Sequence, residues 1–304
     1  MSIALAIAAL ILLAPLLAEA MRAATGLFRP KASASLAHLP NGATHYTWSG
    51  PETGPVVVCI HGISTPSFVF AATERSLAAL GYRVLTYDLY GRGHSAHPVG
   101  KQDAAFFLSQ LEHLLQHQEV TDEITVLGFS MGGQIAAAFT AENPDRVNRL
   151  ILVASSGLAP TETTGQNALW TAPLIGDWLT ITFGGIALRR ELVEHLNFAT
   201  VVPNYEDLQA AQTRQRGYLP AILSSRRHLL GKSAASDHKR IARARIPVLA
   251  LWASDDPNIP LAAMGALAQI NPEAQHVQIP GAGHSLLQTH PREIAEALKD
   301  HLTN

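Results

Sequence analysis

Ser130 stands in Gly128-Phe129-Ser130-Met131-Gly132, directly after the apolar run Ile124–Leu127 and directly before the helix-forming stretch Gly133-Gln134-Ile135-Ala136. The bare pattern G-x-S-x-G recurs by chance, and its setting between a strand and a helix is what gives it weight. Such a turn lifts the serine hydroxyl clear of the sheet. Its glycines fit because a side chain there would meet the neighbouring strand and helix. The helix start beneath the serine also favours developing negative charge. A serine hydroxyl is a weak nucleophile, so it needs a base within hydrogen-bond reach and a third group to orient that base. In a strand–turn–helix of this kind the acid and then the histidine follow the serine along the chain.

Two carboxylates lie after the later run Val248–Trp252, at Asp255 and Asp256 in Trp252-Ala253-Ser254-Asp255-Asp256-Pro257. Either could serve as the acid on position alone. The chain holds 14 histidines, so none is notable by type. His113 and His117 share helical spacing but have no third ligand and no H-E-x-x-H pattern, and they read as a solvated face rather than a metal pair. His94 and His97 belong to a loop and His276 to a strand. Only His284 joins a glycine turn, Pro280-Gly281-Ala282-Gly283-His284-Ser285, to a strand end and the right chain order. A tetrahedral intermediate also needs two donors aimed at its oxyanion. The backbone N–H of Met131 supplies one, and the loop His61-Gly62-Ile63-Ser64 supplies the other through the N–H of Ile63. His61 itself reads as a brace for that loop. This chemistry calls for no metal and no cofactor.

These loops need a scaffold. Apolar, β-branched runs at Val56–Ile60, Arg83–Tyr87, Ile124–Leu127, Leu150–Ala154, Val248–Trp252 and His276–Ile279 alternate with helical stretches at Ala71–Leu80, Asp103–His117, Gly132–Glu142, Leu261–Ala268 and Pro291–His301. That alternation predicts an α/β fold with a mostly parallel central sheet flanked by helices. A short antiparallel lead-in is expected around Ala43–Trp48. Residues 157–240 break the pattern with no convincing strand, and they read as a helical cap inserted at the strand ends where ligands bind. The core is then 43–156 plus 241–304, with a linker over 21–42. Trp170, Trp178, Phe183 and Phe198 within the insertion are candidates for an apolar pocket roof, although for any one of them packing onto the core is the simpler role.

The composition suits one sizeable folded unit: 304 residues, 47% hydrophobic and 15% charged, with 22 Lys plus Arg against 24 Asp plus Glu. No basic stripe marks a nucleic-acid surface. Cys59, the single cysteine, sits in the run Val56-Val57-Val58-Cys59-Ile60 and reads as a small core hydrophobe. Residues 1–20 form a separate hydrophobic segment, uncharged from Met1 to Ala18. Three readings stay open for it. It is a membrane anchor through residues 1–18 with the following domain on the cytoplasmic side, since Arg22, Arg29 and Lys31 follow it. It is a signal segment cleaved near Ala20, since Ala18-Glu19-Ala20 has the small-x-small form. Or Met21 is the true start. The sequence does not give the oligomeric state.

Four motifs in order resemble the α/β-hydrolase superfamily, and specifically its branch of serine esterases, monoacylglycerol lipases and cofactor-free haloperoxidases. They are the His61-Gly62 loop, the turn Asp88-Leu89-Tyr90-Gly91-Arg92-Gly93-His94-Ser95, the Ser130 turn, and the loops carrying the acid and His284. The resemblance covers about Ala43 to His301. Relatives usually read W-G-x-x-D-x-x-x-P at the acid. Here Ala253 replaces that glycine, and counting from Trp252 to Pro260 puts Asp256 on the acid position. The resemblance therefore implies an α/β-hydrolase fold with a helical cap and a Ser130–His284–Asp256 triad. It implies hydrolysis of carboxylic esters, with short- to medium-chain acyl esters or monoacylglycerol-like lipids as substrates. A serine nucleophile argues against haloalkane dehalogenases and epoxide hydrolases, which use aspartate there. A carbon–carbon bond hydrolase or a perhydrolase shares the triad, and a non-catalytic, membrane-tethered binding protein on this scaffold is the remaining alternative.

Overall fold

The computed structural model describes residues 3–22, 35–159, 168–194 and 200–302. Eight strands form one sheet in the order β1-β2-β4-β3-β5-β6-β7-β8. They are β1 Ser35–Leu39, β2 Gly42–Ser49, β3 Val56–Ile60, β4 Arg83–Tyr87, β5 Ile124–Phe129, β6 Val147–Val153, β7 Val248–Ala253 and β8 Gln275–Ile279. β1 and β2 pair antiparallel, as do β2 and β4, and every other pair is parallel. The interior strands β5 and β7 are buried along their whole length, as strands covered by helices on both faces must be. Cys59 is among the buried residues of β3 and burial pushes its thiol pKa up, as expected of an inert core position.

The amino-terminal helix α1 covers Ile3–Met21. The core helices are α2 Ala71–Ala79, α3 Ala104–His117 and α4 Met131–Glu142. The insertion contributes α5 Ala168–Thr171, α6 Ile175–Glu194, α7 Tyr205–Gln212 and α8 Tyr218–Ser225, with one π-helical turn at Arg226–Leu230. Then follow α9 Ala235–Ala244, α10 Ala262–Ile270, α11 Leu286–Thr289 and α12 Pro291–Leu302. The expected core strands and helices are all present, with ends displaced by up to three residues. α9 begins inside the stretch expected to be cap, yet it packs on α4 and leads into β7, so it is a crossover helix of the core.

Two expectations fail. The linker proposed for 21–42 contains β1, which hydrogen-bonds to β2 in the register Leu39↔Gly42. Its Ala37 and Leu39 are buried while Leu36 and His38 are exposed. That alternation, ending at a Pro40-Asn41 turn before Gly42, was the available signal. The pocket-roof reading also fails for two of its four aromatic residues, while Trp170 is half-buried and lines a small cavity in the cap with Leu188 and Ile222. Trp178 donates its indole N–H to the Ile11 carbonyl of α1 at 2.8 Å, and Phe183 packs edge-on against it and is exposed. Phe198 lies outside the described residues.

The α1–cap contact has a simple origin. Pro15 has no N–H, so the carbonyl four residues earlier, that of Ile11, has no partner within α1. Trp178 takes it. Among the described residues no helix is long and apolar enough to cross a membrane.

Candidate active site

The parallel strands β5, β7 and β8 end on one side of the sheet, and their loops carry the three predicted groups there. Ser130 follows β5 with φ 54° and ψ −120°, a left-handed conformation rare for a residue with a side chain. Three backbone bonds hold it: Ser130 N–H to Val153 O at 2.9 Å, Gly133 N–H to Ser130 O at 3.0 Å and Ser156 N–H to Ser130 O at 3.1 Å. The glycines have a steric reason. A Cβ on Gly128 would lie 2.3 Å from the Gly132 carbonyl oxygen, and one on Gly132 would lie 2.0 Å from the Ile60 carbonyl oxygen. β5 and α4 can meet at so sharp an angle only because both positions lack side chains.

Asp256 is the acid. Its Oδ2 accepts the Nδ1–H of His284 at 2.8 Å, while Oδ1 accepts the N–H groups of Asn258 at 2.8 Å and Ile259 at 2.9 Å. Burial alone would raise its carboxyl pKa. The neighbouring His284 and the two loop N–H groups outweigh that, and the net shift is downward, so Asp256 is ionised at neutral pH. Asp255 is exposed, and among the described residues its carboxylate accepts only the Ser254 hydroxyl. The acid and histidine loops are stitched together by Ser254 N–H to Ile279 O, Asp255 N–H to Ala282 O and Gly281 N–H to Ser254 Oγ. With Nδ1 protonated toward Asp256, the Nε2 of His284 is the acceptor for the Ser130 hydroxyl, 3.0 Å away. The imidazole leans on the Phe129 ring, with centroids 5.3 Å apart.

Of the oxyanion donors expected from sequence, Met131 directly follows Ser130 and Ile63 directly follows Gly62, which packs against it. Met131 opens α4, and Gly62 packs so closely that a Cβ on it would come within 3.3 Å of the Ser130 Cβ. His61 braces this loop, with Nδ1 on the Gly62 carbonyl at 2.7 Å and Nε2 accepting the Leu89 N–H at 2.8 Å. Full burial lowers its pKa to about 4, so it stays neutral and holds one tautomer. Asp88 ties the next part of the loop: Oδ1 accepts both the N–H and the hydroxyl of Ser67, and Oδ2 accepts from His45 and from the His94 N–H. Among the described residues no group of His, Cys, Asp and Glu is arranged to hold a metal ion.

Sequence reasoning passed over Arg92, Tyr218 and Gln209. All three are buried at the junction of cap and core, and all three bond to the loop that follows β3. Arg92 lay inside a motif already singled out. A charge with no acidic neighbour in sequence was the only hint that it is used.

A family model described as the alpha/beta hydrolase fold matches residues 55–291. The chain is 28% identical over 271 residues to a 2-hydroxy-6-oxononadienedioate/2-hydroxy-6-oxononatrienedioate hydrolase of Cupriavidus pinatubonensis, covering 85% of this chain and 89% of that one. It is 28% identical over 256 residues to a pimeloyl-[acyl-carrier protein] methyl ester esterase of Chromobacterium violaceum, covering 82% and 94%. Among solved structures, an enol-lactonase of Burkholderia xenovorans superposes with a TM-score of 0.74 at 19% identity, over 89% of this chain and all of that one.

Proposed function

The chain belongs to the α/β-hydrolase family, and from that premise we propose that it is a serine hydrolase cleaving carboxylic esters, of short- to medium-chain acyl groups or monoacylglycerol-like lipids, through an acyl-enzyme on Ser130. The observation that carries this reading is the unbroken relay Asp256–His284–Ser130, with bonds of 2.8 and 3.0 Å ending on a hydroxyl held in a strained turn. In the forward step His284 Nε2 takes the Ser130 proton as Oγ attacks the acyl carbon. Asp256 stabilises the imidazolium that forms, and the N–H groups of Met131 and Ile63 receive the charge on the former carbonyl oxygen. His284 then returns the proton to the departing alcohol. Water, deprotonated by the same imidazole, releases the acid and restores Ser130.

An apolar acyl group is supported by the apolar packing between the cap and the loop that follows β3. Ile63 packs against a cap cluster of Leu188, Tyr218, Leu219 and Ile222. A carbon–carbon bond hydrolase is the second reading, because a relative bears that name and such chemistry can use the same triad. The ester reading is preferred because the esterase relative is equally similar and the buried cation at the junction, Arg92, is already engaged by protein acceptors, so it does not offer itself to a substrate carboxylate. We also propose that the exposed apolar side chains of α1, among them Leu5, Leu10, Leu12 and Leu16, rest on a lipid surface.

The test is a series of p-nitrophenyl esters. Each buried methylene is worth about 0.8 kcal/mol, so two added carbons improve binding roughly tenfold. We expect kcat/KM to rise from acetyl to at least butyryl or hexanoyl, and the protein to co-sediment with lipid vesicles. Acetate as the best substrate counts against the apolar acyl site, and protein left in the supernatant removes the lipid contact.

A further inference from the structure

The loop from Gly62 to Ser67 has its carbonyls tied down from outside. The Gly62 carbonyl takes His61, the Ile63 carbonyl takes the Nε–H of Arg92 at 3.0 Å, and the Ser64 carbonyl takes the Tyr218 hydroxyl at 2.8 Å. The Thr65 hydroxyl is met by the Gln209 amide, and the Pro66 carbonyl accepts the Val69 N–H at 3.1 Å. Among the described residues no loop or turn carbonyl accepts the Ile63 N–H. That N–H shares its peptide plane with the Gly62 carbonyl, which His61 holds, and Arg92 and Tyr218 fix the two planes that follow.

Two of these ties come from the cap. Tyr218 opens α8 and Gln209 lies in α7, each only 1% exposed. Arg92 belongs to the core but is pinned between the two: its other donors reach the Tyr90 carbonyl, the Gln102 amide oxygen and the hydroxyl of Ser225, the last residue of α8. The N–H of Gly217, just before Tyr218, is accepted by Glu19 of α1, so the support runs back to the amino-terminal helix.

We propose that Tyr218 and Arg92 are positioning residues for the oxyanion donor at Ile63, which makes the cap a working part of the catalytic apparatus as well as a cover. The proposal rests on the serine-hydrolase reading above. It follows from hydrogen-bond geometry: a donor must point at the position the oxyanion will occupy, and a peptide plane free to tilt loses that aim. Arg92 acts through the Ile63–Ser64 peptide and Tyr218 through the Ser64–Thr65 peptide, the two planes that follow the one carrying the Ile63 N–H, and neither side chain touches a reacting atom. Burial lowers the Arg92 pKa to about 10, which leaves it cationic at neutral pH and able to hold its acceptors.

The experiment compares full-length wild type with Tyr218→Phe, which removes the hydroxyl and keeps the ring. Active serines are counted by end-point titration with a fluorophosphonate, and kinetics are expressed per titrated site. Removing an oxyanion donor outright costs about 10²–10³ in kcat, so misaiming one is expected to cost roughly 10- to 100-fold. KM should stay within about threefold, and the Ki of an alkylboronic acid, which mimics the tetrahedral state, should weaken by the same factor as kcat/KM falls. A purely structural role would lower the titratable fraction or the melting temperature and leave these per-site ratios alone. A Tyr218→Phe enzyme with wild-type kcat per titrated serine, or with its whole loss in KM, overturns the proposal. Should that variant give no titratable serine, Arg92→Lys is read by the same criteria. Wild type that neither labels nor hydrolyses esters overturns the serine-hydrolase reading and this proposal with it. An active wild type beside an equally active Tyr218→Phe overturns the proposal alone.

Discussion

Asp255 and Asp256 are neighbours of one chemical type in different surroundings. Asp255 is exposed and its carboxylate accepts a serine hydroxyl, while Asp256 has a side chain 1% exposed that accepts three hydrogen bonds. The difference follows from the loop: one carboxylate turns outward, and the next is drawn inward to cap two N–H groups and orient an imidazole. Asp256→Asn is therefore expected to lower kcat/KM by up to about 10⁴-fold, because an amide lets the imidazole adopt the tautomer whose Nε2 carries the proton and cannot accept one from Ser130. Asp255→Asn should change kcat/KM by no more than a few-fold. Steady-state kinetics on the two variants decide, and equal losses or the reverse order contradict the assignment. Ser130 shows the opposite economy. Its left-handed φ is worth about 1–3 kcal/mol of strain, offset by the three backbone bonds around it.

At the scale of elements, the packing of α9 on α4 contains a test of how the fold handles buried polarity. His238 of α9 is fully buried, and among the described residues neither ring nitrogen has a hydrogen-bond partner. Burial lowers its pKa to about 4. The unfolded chain therefore takes up this proton near pH 6.5 and the folded protein only near 4. Between those values the unfolded state holds more protons, so stability rises with pH and falls on acidification, by about 3 kcal/mol across the window. His61, lowered to about 4 by the same cause, adds in the same direction. His238→Leu should raise stability at pH 7 by about 1–3 kcal/mol, since two unpartnered nitrogens leave the interior, and should flatten the decline between pH 6.5 and 4. Urea unfolding at several pH values measures both, and a variant with the wild-type slope contradicts the account. The elements themselves were readable where hydrophobic runs are long and bounded: β3 and β4 begin and end where the runs do. β1 was lost because a five-residue edge strand with two buried side chains resembles a linker. The cap was recognised as helical, but its packing depends on contacts between residues more than a hundred positions apart, such as Ser64 with Tyr218 and Ile11 with Trp178. No local spacing encodes those.

For the whole molecule, the parallel strands bring chain-distant loops to one edge of the sheet. This is why Ser130, Asp256 and His284 could be chosen from order and strand-end position alone, and why the groups holding the oxyanion loop could not. Arg92, Gln209 and Tyr218 lie on a core loop and two cap helices, with nothing in their spacing to connect them. The central claim is that His284 makes Ser130 a nucleophile within this assembled frame. The most direct measurement is fluorophosphonate labelling of the full chain with peptide mapping, run beside ester hydrolysis and repeated on Ser130→Ala. The account predicts about one label per chain, on Ser130, appearing in step with the loss of hydrolysis. In Ser130→Ala it predicts no label and a kcat reduced by roughly 10⁶-fold, as for the best-measured triad. A label mapped to another residue, or a Ser130→Ala protein keeping a tenth of the wild-type activity, would contradict it.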